Sequence, residues 1–71
     1  MNLLTIQTFK DDTIARSFLN YEDYDKTISA LYSTMASASA NINMKSCICI
    51  IISDDGSLYK QEVWEAVVPE E

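Results

Sequence analysis

The stretch MKSCICIIIS at 44–53 decides how this chain folds. With the two-residue period of a strand, Ile48, Ile50 and Ile52 share one face, and Cys47, Cys49 and Ile51 share the other. Both faces are apolar, the pattern of a strand buried on both sides. DDGS at 54–57 follows as a hairpin turn, with Gly56 able to take the positive φ that such a turn requires. LYKQEVWE at 58–65 then returns as the partner strand. In it Leu58, Lys60, Glu62 and Trp64 alternate with Tyr59, Gln61 and Val63.

Upstream, residues 22–41 carry a different period. Tyr24, Ile28, Leu31, Met35, Ala38 and Ile42 recur at steps of four and three, the stripe of an amphipathic helix. Asn20 is the expected N-cap. Glu22, Asp23 and Asp25 put negative charge where the helix dipole favours it, and Asn41 or Asn43 is expected to end the helix in a left-handed conformation. Ala30, Ser33, Thr34, Ser37 and Ala40 form a second stripe of small residues. Such a face admits a second backbone at close range, either the chain's own sheet or a second subunit.

LLTIQTF at 3–9 reads as a strand, KDDT at 10–13 as a turn. IARSFLN at 14–20 fits either a second strand or a short helix starting at Asp12; the four-residue turn before it favours the strand. The expected fold is α+β: a small four-stranded antiparallel sheet in the order β-β-α-β-β, with one helix packed on one face. The chain is one domain over 1–71, with 66–71 a frayed acidic tail.

One helix covers only one face of such a sheet. The other is expected to carry Cys47, Cys49 and Ile51 and, left wet, would be an apolar patch of the kind monomers avoid. A chain of 71 residues is also short of core. Both point to a homo-oligomer, a dimer or higher, joined through Cys47, Cys49 and Ile51, with Tyr59 and Trp64 as aromatic anchors. The plainer alternatives are that Leu19, Tyr21 and the tail fold over that face, and that the aromatics are ordinary core.

Composition narrows the chemistry. There is no histidine, so the usual acid–base group near neutral pH and the commonest transition-metal ligand are missing. Eleven acidic against five basic residues give a net charge of −6, which does not suit direct binding to a nucleic-acid backbone. Carboxylates can imitate such a backbone instead, but these acids fall where helix starts and turns ordinarily place them. Asp54 and Asp55 read as hydrated turn formers and not as a catalytic pair. Cys47 and Cys49 lack a histidine to activate them, are too close along one strand for an unstrained disulfide, and supply two of the four ligands zinc prefers. They read as free core thiols of a cytoplasmic protein. No enzyme activity, metal or cofactor is expected. No apolar run is long enough for a membrane span, and the first residues lack the basic and small-residue features of a signal peptide.

Five features of the C-terminal half occur together: the small-residue helix end at 36–40, Asn41-Ile42-Asn43, the apolar strand at 47–52, Asp54-Asp55-Gly56, and Trp64-Glu65. In this it resembles small, uncharacterised accessory proteins encoded by phages and prophages of gut Firmicutes. The resemblance implies a mobile-element protein made inside a bacterial cell, and its motifs are structural, so no site residue comes with it. The function expected is non-enzymatic binding: inhibiting or sequestering a host defence protein or a small nucleotide-like signalling molecule, as an oligomer in the host cytoplasm. The alternative is a minor structural or assembly component of a phage particle.

Overall fold

A computed structural model describes residues 1–66. Strand β1 (Asn2–Phe9) and strand β2 (Ile14–Asn20) precede helix α1 (Tyr24–Ala40), which is followed by β3 (Met44–Ile52) and β4 (Leu58–Glu65). The four strands form one antiparallel sheet in the order β2-β1-β3-β4. Residues 14–20 are therefore a strand, and the β-β-α-β-β architecture stands. The acidic tail expected over 66–71 lies, from residue 67 onward, outside the described residues.

Both hairpins turn where backbone chemistry demands. At the first, Asp12 takes φ 68, and Asp11 Oδ1 accepts from the Thr13 backbone N–H at 3.0 Å. A short polar side chain makes this left-handed step tolerable. At the second, Gly56 has φ 91, and Asp55 accepts from the Ser53 hydroxyl and from the Ser57 N–H at 3.0 Å. These bonds to the ionised form hold the Asp55 carboxyl down at about 2.

The ends of the helix differ from the sequence reading. Asp23, not Asn20, is the N-cap, and accepts from Lys26 N–H at 2.8 Å. Asn20 is drawn into β2, where its amide donates to Asn2 Oδ1 at 2.8 Å. At the other end Asn41 is extended, with φ −91 and ψ 112, and not left-handed. Its Oδ1 accepts from Asn43 N–H at 2.9 Å and its N–H donates to the Ala38 carbonyl, so the end is satisfied without a left-handed residue.

The helix rests mainly on β3, with lesser contact to β1 and β4. Thr27, Leu31 and Ala38 are its buried residues, Ile28 and Met35 are half-buried, Tyr24 is exposed, and Ile42 lies past the helix in solvent. The contact stripe is thus rotated towards Thr27 and Thr34. Their hydroxyls donate to the carbonyls of Asp23 (2.7 Å) and Ala30 (2.8 Å), which leaves their methyl groups to pack. Beneath the helix lie Leu3 and Thr5 of β1 and Cys47, Cys49 and Ile51 of β3. Met44 closes one end of this core.

Candidate functional site

Residues paired across an antiparallel ladder point to the same side of the sheet, so the register fixes the composition of each face. The side away from the helix has Leu4 and Ile6 of β1 at its centre, opposite Ile50 and Ile48 of β3. Phe18 pairs with Leu4 and Ile14 with Thr8 on one flank; Val63 pairs with Ile48 and Leu58 with Ile52 on the other. Among the described residues no helix covers this side. Phe18 is 61% exposed, Leu58 61%, Val63 49% and Ile14 46%. Among the described residues, charge on this side sits on its flanks: Arg16, which pairs with Ile6, and Glu65, which pairs with Ser46. Neither is in an ion pair among the described residues.

This reverses the expected assignment of the faces. Cys47, Cys49 and Ile51 are fully buried under the helix, so they are core and not an uncovered interface. Trp64 pairs with Cys47 and packs half-buried against that same core. Tyr59 is exposed but on the helix side, its ring 6.1 Å from that of Tyr24. None of these five residues lies on the open face. The missed signal was side-chain size. The helix sits over the face with two cysteines and Thr5, where small groups let its backbone come close, and leaves the bulkier isoleucine face uncovered.

The small-residue stripe also divides. Ala30 and Thr34 are half-buried at the border of the helix contact, whereas Ser33, Ser37 and Ala40 face solvent. With the helix resting on Thr27, Leu31 and Ala38, a rotation of about 100° per residue carries these three away from the sheet.

The chemistry-bearing groups are committed to structure. Burial, reinforced by the neighbouring Cys47 thiol at 3.9 Å, pushes the Cys49 thiol up to about 11 and keeps it protonated at neutral pH. Asp54 accepts from the Asn2 amide at 3.0 Å and Asp55 is tied into its turn. Among the described residues no group of three or more Cys, Asp or Glu is placed to hold a metal ion, and no helix is long and apolar enough to cross a membrane. An open depression of about 580 Å³ lies between the first hairpin turn and the end of the helix, lined by Phe9, Lys10, Asp11, Thr13, Asn41 and Asn43. Asp11 Oδ1 and Asn41 Oδ1 accept from the N–H groups of Thr13 and Asn43, bonds that maintain the loops themselves.

A second exposed patch lies on the helix side. Tyr24, Tyr59 and Tyr32 are all exposed there, and Lys60 Nζ sits 5.8 Å from the centre of the Tyr32 ring. The Glu62 carboxylate at 3.2 Å, followed by Tyr32, raises the Lys60 ammonium above its ordinary value. In comparisons with known protein families, curated proteins and solved structures, none matched this chain.

Proposed function

We propose that this is a non-enzymatic binding protein whose working surface is the open face of its sheet. The observation that carries the reading is that face: an apolar centre of Leu4, Ile6, Ile48 and Ile50, exposed Phe18 and Val63 beside it, and charge confined to the flanks. A contiguous apolar surface rimmed by polar groups is the mark of a protein contact. The thiols support the same reading, since both are buried and free and the Cys49 thiol is held protonated, which suits core packing and not nucleophilic attack. The resemblance of the C-terminal half to phage and prophage accessory proteins supplies the setting: the bacterial cytoplasm, with a host defence protein or signalling molecule inhibited or sequestered by an oligomer.

The test compares the wild type with Ile50→Lys, which places a charge at the centre of the open face. Both proteins are immobilised and exposed to bacterial lysate after circular dichroism has verified folding. The expected result is a host protein retained by the wild type and lost by the variant. Identical retention by both would remove the open face from the function. Recovery of the protein in purified phage particles would move the reading to particle assembly.

A further inference from the structure

We propose that the open face is closed by a second copy of this chain, the two sheets stacked face to face about a two-fold axis parallel to the strands. This rests on the reading of that face as the working surface and names its occupant: the face joins two copies, and it is the resulting dimer that engages the host molecule, so a charge at Ile50 removes both.

Area is the first argument. Four strands at about 4.8 Å spacing and about 25 Å long present a face on the order of 480 Å². Two such faces remove on the order of 1,000 Å² in flat projection, and more once side-chain relief is counted, which meets what a specific interface requires. The chemistry of the face is the second. Its centre of Leu4, Ile6, Ile48 and Ile50 is aliphatic, like one inner side of a β-sandwich, whose two sheets pack about 10 Å apart. A homodimer interface resembles a domain core cut in half, and this sheet has half a core on its open side.

Charge selects the axis. A two-fold axis running across the strands would lay β2 on β2 and bring Arg16 against Arg16 of the partner subunit. An axis parallel to the strands lays β2 on β4 of the partner subunit instead. Arg16 is then level with Val63 of the partner subunit, because both pair through Ile6 and Ile48. Glu65 of the partner subunit is one same-face step further, about 7 Å, within reach of an extended arginine. The symmetry makes this pair twice, once at each flank.

Sedimentation equilibrium on the full chain tests the arrangement, with circular dichroism to verify that each variant is folded; Arg16 and Glu65 are exposed, so exchanging their charges leaves the core untouched. The wild type is expected at twice the 8.0 kDa chain mass. Arg16→Glu and Glu65→Arg each set like charges together and are expected to raise the dimer dissociation constant about tenfold or more. The double variant restores opposite charges and is expected within about threefold of wild type. A chain that stays monomeric at about 1 mM overturns the proposal, and so does a dimer indifferent to both single reversals. If the chain is monomeric while Ile50→Lys still loses a host protein, the occupant is wrong and the working surface stands. If neither dimer nor differential capture is found, both readings fall.

Discussion

Ile50 and Ile51 are chain neighbours of the same chemistry on opposite faces of β3. Ile51 is fully buried beneath α1, whereas Ile50 is half-buried on the open face. Truncating each to alanine therefore measures what covers each face. At Ile51 the lost methyl groups leave a cavity between sheet and helix, and the loss is about 3 kcal/mol, within the usual 2–5 kcal/mol for a large-to-small change in a core. A domain of this length has a total stability of about 4–10 kcal/mol, so Ile51→Ala stands close to the edge of folding. The milder Ile51→Val, at about 1 kcal/mol, keeps the measurement in range. At Ile50 the monomer loses only part of a transfer term, about 1 kcal/mol. The assay is urea unfolding followed by Trp64, the single tryptophan, which packs half-buried against the core and reports its loss. With a slope of about 1 kcal/mol per molar urea, Ile51→Val moves the midpoint down by about 1 M and Ile51→Ala by about 3 M. Repeating the titration at a tenfold higher protein concentration separates the faces. The Ile51 variants keep their offset from wild type, while the offset of Ile50→Ala grows, because it weakens the association that concentration favours. Equal offsets for Ile50→Ala and Ile51→Ala, or a larger one for Ile50→Ala in dilute protein, would refute the assignment of the helix to the cysteine face.

Other expectations follow from the caps, turns and thiols. Asp23→Ala removes the N-cap of α1 and is expected to destabilise by about 1 kcal/mol, read as a fall in Tm of about 4–8 °C for a domain this small. The Asp55 carboxyl is held near 2, below its unfolded value, so its contribution is fully present above the unfolded pKa of about 4 and disappears as pH falls through about 2. The Tm difference between wild type and Asp55→Asn should accordingly shrink from pH 6 to pH 2, and a difference independent of pH would contradict the turn bonding. Cys47 and Cys49 should resist a thiol-reactive disulfide reagent in native protein and react fully in denaturant, because both are buried and the Cys49 thiol is protonated. Rapid native labelling at neutral pH would show that the helix does not seal them.

Much of the fold was legible because it is written in local periods. The two-residue alternation at 44–53, Gly56 in its turn, and the three-four spacing from Tyr24 to Ala38 are enough to give two strands, a hairpin and a helix. Residues 14–20 were harder, since Arg16, Phe18, Ser17 and Leu19 show no clean alternation; the strand is exposed along its whole length, so no buried face imposes one. The site was misplaced for a different reason. A strand with two apolar faces states that both are buried without stating by what. Which face the helix takes depends on matching volumes between elements distant in sequence, Thr27 and Ala38 above Thr5, Cys47 and Cys49. The size difference between thiols and isoleucines was visible in the chain, but its meaning emerges only once the helix is set on the sheet. The helix cap moved from Asn20 to Asp23 similarly, because Asn20 had a competing bond to Asn2 across the β1–β2 ladder.

The position of β2 has a consequence for how this molecule breathes. It is an edge strand, hydrogen-bonded to β1 alone, and every one of its residues is exposed. Peeling it away therefore breaks one ladder and uncovers little that was dry, whereas freeing β3 requires the helix and both neighbouring strands to part. Amide exchange should follow that ranking, with β2 protons lost through local opening and those of Cys47, Cys49 and Ile51 only when the whole chain unfolds. On that ranking the helix, β1 and β3 are expected to open last and β2 first, and β2 bears Phe18 and Arg16 at the flank of the open face.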